Sequence, residues 1–103
     1  MPHTDTLERT KIQIRTDLKL PPQYSVIYVN DEVTSFDFVI ATLMGVFDYT
    51  PDDAQNMAHV IHEEGQGVVA VLPYETAEQK TLEVTAMAKI SGFPLEVRVE
   101  PVD

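Results

Sequence analysis

The feature that most constrains the fold of this sequence is one continuous apolar stripe in its first half. Apolar residues recur there at the three- and four-residue spacing of an α-helix, at Phe36, Val39, Ile40, Leu43 and Phe47. Thr34 or Ser35 is suited to cap the N-terminus of this helix. The spacing therefore predicts an amphipathic helix whose striped face lies in a core.

A second helix is predicted shortly after the first. Thr50 is a hydroxyl cap, Pro51 suits the first helical position, and Gly65 follows the expected end of the helix. Its apolar face comprises Ala54, Met57, Ala58 and Ile61. His62 borders this face, whereas His59 is turned by about 100° from its neighbour in sequence and is predicted to point toward solvent.

Strand patterns and a third helix complete the chain. Apolar or alternating segments at residues 24–29, 67–72 and 95–99 predict three strands. Thr76 begins a capping box, Gly92 ends the helix, and its inner side is predicted to carry Leu82, Ala86 and Ile90. The expected fold class is α+β, with a small three-stranded antiparallel sheet packed on one face by three helices in the order βααβαβ.

Length and composition exclude several kinds of protein. The 103 residues suit one domain with one core, and the lack of cysteine excludes disulfides, a thiolate nucleophile and cysteine-built metal sites. No apolar run approaches the roughly 18 to 20 residues that span a bilayer, and residues 1–5 lack the layout of a signal peptide. We therefore expect a cytoplasmic protein that does not bind membranes.

Charge divides the chain near Pro21-Pro22. Residues 1–20 hold four of the 7 basic and three of the 17 acidic side chains, which leaves three basic and fourteen acidic ones for the rest. This acidic part repels nucleic acid and favours basic partners. Because a diproline is stiff, we predict a flexible N-terminal extension over residues 1–21 and a core domain over residues 22–103. The extension is either a leader without function or a functional arm.

Short polar acceptors gather at the end of the first predicted strand. Asn30, Asp31 and Glu32 follow the strand directly, next to Phe36, and His62 borders the second helix. An ammonium group has three donors and no acceptor, so an amide oxygen, a carboxylate and a neutral imidazole suit it. The cluster predicts a cup for a free peptide N-terminus. Taken alone, the acidic turn is better explained as a solvated edge, and His62 as a satisfied histidine at the border of the core.

The hypotheses of an enzymatic or a metal-binding function have less support. His59 and His62 lack a zinc-protease spacing, and no nucleophile elbow or glycine-rich phosphate loop occurs. We therefore expect no catalysis, no cofactor and no metal. The remaining rival is a non-catalytic acidic interaction domain that docks a basic protein partner without recognising an N-terminus.

Four motifs, in order, resemble those of the ClpS adaptor family. They are VNDEVTSFDFV (29–39), IHEEG (61–65), YETAEQK (74–80) and PL (94–95), within a resemblance that covers about residues 21–100. The resemblance implies a non-enzymatic adaptor of the N-degron pathway, in the bacterial cytoplasm rather than the plastid stroma. Such an adaptor holds substrates by an N-terminal Phe, Leu, Tyr or Trp. As a monomer, it delivers them to a Clp-family AAA+ unfoldase of the ClpA or ClpC type.

The resemblance also implies roles for the residues around the peptide. Asn30, Asp31 and His62 match the residues that hold the substrate α-amino group, and Glu32 and Thr34 match those near the peptide backbone. The implied hydrophobic pocket is lined by Tyr28, Thr34, Phe36, Val39, Ala58, Ile61 and Leu95.

Further positions concern delivery and specificity. Glu75 and Lys80 match the unfoldase-docking surface, and the extension before Pro22 matches the arm used in delivery. Glu32, Phe36 and Ala58 depart from the aspartate, methionine and methionine that are usual in the family. We expect these departures to alter the ranking among bulky first residues and to weaken the exclusion of branched ones.

Overall fold

β1 (Gln23–Val29) is the central strand of the sheet. In the computed structural model, which describes residues 20–102, it pairs antiparallel with β2 (Gln66–Pro73) on one side and with β3 (Glu96–Pro101) on the other. The strand order is therefore β2-β1-β3. The predicted extension, residues 1–21, lies outside the described residues except for its last two positions.

Three helices separate the strands and confirm the predicted order βααβαβ. They are α1 (Phe36–Phe47), α2 (Pro51–Glu64) and α3 (Tyr74–Ser91). The α+β class with a three-stranded antiparallel sheet is confirmed as well.

The predicted caps of α1 and α2 are present. The Ser35 hydroxyl, rather than that of Thr34, accepts the Phe38 N–H at 3.1 Å and begins α1. The Thr50 hydroxyl accepts the backbone N–H of a first-turn aspartate at 3.2 Å and begins α2. Gly65 ends α2 with a φ of 91°, a left-handed conformation that glycine adopts without steric cost. These caps fix where α1 begins and where α2 begins and ends.

The core lies between the sheet and the helices. Val26 and Tyr28 of β1 are fully buried and belong to one hydrophobic cluster with Leu43 of α1 and Val84 of α3. The Tyr28 hydroxyl shares a hydrogen bond of 2.8 Å with Thr42 Oγ1. Burial raises the pKa of Tyr28 far above its usual value, so its hydroxyl stays neutral. β1 is thus firmly anchored immediately before the polar cluster.

The first residue of α3 and the buried face of the helix both differ from the prediction. It starts at Tyr74, directly after β2, and its N-terminus has no side-chain cap, so the capping box predicted from Thr76 is wrong. Leu82, Ala86 and Ile90 were predicted on the inner side but are exposed, Ile90 by 87%. The buried residues of the helix are smaller, namely Ala77, Val84 and Ala88. Small side chains let a helix approach its neighbours closely, and the larger ones are left outside.

Gly67 is a point of close approach between β2 and α2. A Cβ atom at this position would lie 2.9 Å from Ile61 Cγ1 and 3.1 Å from Met57 Sδ. We expect Gly67→Ala to lower the free energy of unfolding in urea by about 1–3 kcal/mol, because overpacking forces the neighbours to move. Gly45→Ala is the matched control, since its added methyl group has no contact within 4 Å and alanine favours the helix. A Gly67→Ala protein as stable as the control would contradict this expectation.

Candidate functional site

A cavity of about 370 Å³ opens where the end of β1 faces α1 and α2. Most of the residues predicted for a binding site line it: Asn30, Asp31, Glu32, Thr34, Phe36, Val39, Ala58, Ile61 and His62. The structure thus brings the polar cluster after β1 together with a histidine and apolar side chains from the two helices.

The Asp31 carboxylate organises the loop after β1. Its Oδ1 accepts the backbone N–H groups of Val33 at 2.8 Å and Thr34 at 2.6 Å, and its Oδ2 accepts the Thr34 hydroxyl at 2.7 Å. Burial raises the pKa of this carboxyl, but the hydrogen bonds from Thr34 and Val33 outweigh burial and hold the pKa below its usual value. A carboxylate has about four lone-pair sites, so three bonds leave one for a ligand, together with the negative charge.

A backbone hydrogen bond holds Asn30 beside the end of α2. The Asn30 N–H donates to the Gly65 carbonyl oxygen at 2.9 Å. Gly65 directly follows the last turn of α2, which carries His62. This contact links two segments that are far apart in the sequence, and it explains why Asn30 and His62 border the same cavity.

The apolar wall comes from both helices. Phe36 and Val39 belong to α1, and Ala58 and Ile61 belong to α2. Val39, Ala58 and Ile61 are also members of the core cluster, so only part of each side chain faces the cavity. Side chains that are locked by packing on regular elements give a recognition site a fixed shape.

Phe36 lies against two imidazole rings of α2. The centroid of its ring is 4.9 Å from that of His59, with an interplanar angle of 61°, and 6.4 Å from that of His62, with an angle of 83°. Both arrangements are edge-to-face. The prediction that His59 is exposed is confirmed. Its contact with Phe36 was not predicted, because helical spacing alone does not reveal how far a ring reaches toward a neighbouring helix.

Two residues that the resemblance assigns to the pocket are not among those that line the cavity in the described part of the chain. Tyr28 is fully buried and bonded to Thr42, and Leu95 is only 7% exposed. Both belong to the same core cluster as Val39 and Ala58. They therefore support the cavity wall through the packing of the core.

The two residues assigned to unfoldase docking differ in their surroundings. Glu75 is exposed and lines a second cavity, of about 420 Å³, at the start of α3. Lys80 is half-buried, and its ammonium group donates to the Val46 carbonyl oxygen at 2.9 Å and lies 5.8 Å from the centroid of the Phe47 ring. Lys80 thus ties α3 to the C-terminal end of α1, where a positive charge complements the helix dipole.

The rest of the described chain offers fewer functional groups. A third cavity, of about 590 Å³, lies at the turn between α2 and β2, and its one ionisable lining residue is Glu64. Within residues 20–102, no three side chains of the metal-ligating types are grouped to hold a metal ion. None of the helices over this range has the length and apolar character needed to cross a membrane. The cavity at the end of β1 is therefore the candidate site.

This fold and this cavity define a small α+β binding domain. Comparisons with known proteins agree. The family model described as ATP-dependent Clp protease adaptor protein ClpS matches residues 19–98. A relative from Campylobacter jejuni, named ATP-dependent Clp protease adapter protein ClpS, is 40% identical over 100 residues, which cover 97% of this chain and 98% of the relative. A relative of the same name from Helicobacter hepaticus is 44% identical over 85 residues, which cover 82% and 86%.

A solved structure gives the same result. Agrobacterium tumefaciens ClpS2, bound to L-phenylalaninamide, resembles this chain with a TM-score of 0.77 and 35% identity, over 80% of this chain and 99% of that one. The chain belongs to the ClpS family. It is an adaptor of the Clp protease and not an enzyme.

Proposed function

We propose that this adaptor binds polypeptides by a free N-terminal Phe, Leu, Tyr or Trp and delivers them to a Clp-family AAA+ unfoldase. The observation that carries the proposal is one cavity that contains Asn30, Asp31 and His62 together with Val39 and Ile61. An ammonium group requires acceptors, and the bulky side chain beside it requires an apolar hollow. At the first residue of a polypeptide these two requirements coincide.

The ligand of the Agrobacterium relative supports this chemistry. L-phenylalaninamide, to which that ClpS2 is bound, combines a free α-amino group, an aromatic side chain and an amide that resembles the first peptide unit. In this chain, Thr34 donates its hydroxyl hydrogen to Asp31, so its oxygen is left to accept a peptide N–H. Glu32 lines the cavity and is exposed, which suits a contact with the peptide backbone at the rim.

The delivery step involves α3 and the N-terminal extension. In the proposal, an unfoldase of the ClpA or ClpC type docks at the first half of α3, where Glu75 is exposed and Lys80 is half-buried. Residues 1–21 serve as the delivery arm. The adaptor acts as a monomer in the bacterial cytoplasm, in keeping with its bacterial relatives.

Fluorescence anisotropy with labelled peptides tests the recognition step. A peptide that begins with Phe is expected to bind at least about tenfold more tightly than one that begins with Gly, because burial of a large apolar side chain contributes about 1.5–3 kcal/mol. The control is a peptide of the same composition with Phe in second place. Equal binding of all three peptides would instead support an acidic surface that docks basic partners without reading the first residue.

A further inference from the structure

Phe36 stands close to the polar end of the cavity. Its ring centroid lies 6.4 Å from that of His62, one of the three proposed acceptors for the α-amino group. The Cβ atom of a bound first residue is only two bonds from its amino nitrogen. In the proposed complex, the Phe36 ring would therefore border the part of the ligand around Cβ rather than the tip of its side chain. In that complex, the space left by the ring would determine whether a branched Cβ fits.

The Phe36 ring is in contact with the ring of His59. Phe36 is the first residue of α1 and only half-buried, so the core encloses part of its ring. His59 is exposed and does not line the cavity, yet its ring is the nearer of the two imidazoles, at 4.9 Å. An edge-to-face contact between aromatic rings is favourable, so the contact with His59 stabilises the observed position of the Phe36 ring.

We infer that His59 is a positioning residue for peptide selectivity. It holds the Phe36 ring at the cavity, so first residues branched at Cβ, Val and Ile, fit less well than Leu and Phe. This inference rests on the proposed recognition of N-terminal residues. The substitution pattern at Phe36 and Ala58 alone predicts weaker exclusion of branched residues. The contact with His59 favours stronger exclusion of these residues. A ring that is contacted by two imidazoles moves less readily than a flexible side chain.

The test compares the affinities of Leu-first and Val-first peptides for wild type and for His59→Ala. Wild type is expected to prefer Leu, and in His59→Ala the ratio of the two affinities is expected to fall by about two- to tenfold, the size of one edge-to-face aromatic contact. His59→Phe, which keeps an aromatic ring at this position, is expected to restore the ratio. Gln55→Ala, an exposed position one turn earlier on α2, is the matched control and should leave it unchanged.

Two further measurements separate positioning from a general effect on the fold. In the free protein, the aromatic NMR signals of Phe36 are expected to shift in His59→Ala and not in Gln55→Ala. In a Phe36→Met background, removal of the His59 ring should no longer change the Leu-to-Val ratio.

The possible results distinguish this inference from the proposed function. Peptide binding with an unchanged ratio in His59→Ala overturns the inference alone. The same holds for an effect that persists in Phe36→Met, or for a ratio that His59→Phe fails to restore. If no peptide binds to wild type through its first residue, the proposed function fails and the inference fails with it.

Discussion

Acetylation of the N-terminus is expected to abolish the binding of a peptide that begins with Phe. The free ammonium group can donate to Asn30, Asp31 and His62, which line one cavity. Hydrogen bonds that involve a charged group contribute about 1.5–3 kcal/mol each. Acetylation removes the charge, leaves one N–H donor and adds bulk at the acceptors, so the loss of two such bonds weakens binding at least about a hundredfold.

An anisotropy titration with the free and the acetylated peptide measures this loss. The matched control is the same peptide acetylated on an internal lysine, which has the same mass and net charge as the blocked peptide but keeps its free N-terminus. Its affinity is expected to stay close to that of the unmodified peptide. If both acetylated peptides bind as well as the unmodified one, the cavity does not read a free amine, and the acidic surface of the domain becomes the better explanation.

Substitution of Asp31 is expected to have the second-largest effect. Its carboxylate adds a negative charge to the cavity, which Glu32 also lines, and accepts three hydrogen bonds from Val33 and Thr34. Asp31→Ala removes the nearest proposed counter-charge of the bound ammonium and loosens the loop that carries Thr34. We expect a loss of about 2–5 kcal/mol in peptide affinity, which is at least tenfold, in the same titration.

Two companion variants separate the charge from the loop. Asp31→Asn keeps an acceptor for the Val33 and Thr34 N–H groups but removes the charge, so it should lose affinity with a smaller loss of stability in urea. Asp37→Ala removes an exposed carboxylate that does not line the cavity, and its affinity should change little. A loss below tenfold in Asp31→Ala would mean that another carboxylate, such as that of Glu32, carries the contact.

Prediction from sequence succeeded for elements with independent signals at both ends. Thr50, Pro51 and Gly65 delimit α2, and the structure has that helix over Pro51–Glu64. The face of α3 was misjudged because its sequence carries two apolar stripes at helical spacing. The bulkier stripe, with Leu82 and Ile90, has the stronger hydrophobic signal and yet is exposed. Close approach to the sheet favours alanine, and a hydrophobicity pattern does not measure that distance.

Sequence patterns predicted which residues belong to the candidate site better than they predicted how those residues are arranged. The motifs name Asn30 and His62, but a backbone hydrogen bond from Asn30 to Gly65 brings them to one cavity, and no side-chain pattern reveals that bond. Asp31 is predicted to accept hydrogen bonds from the substrate. In the structure it also accepts hydrogen bonds from the backbone of its own loop. The contact of His59 with Phe36 depends on the relative placement of two helices, which follows from tertiary packing.

The two ends of α1 lie at two different sites, the cavity after β1 and the contact with Lys80. Phe36, its first residue, lines the cavity at the end of β1, and the carbonyl oxygen of Val46, near its last, accepts a hydrogen bond from the Lys80 ammonium group. A helix of 12 residues is about 18 Å long. In the proposed function, the first residue of the substrate and the unfoldase therefore contact opposite ends of one helix, and they do not compete for the same side chains.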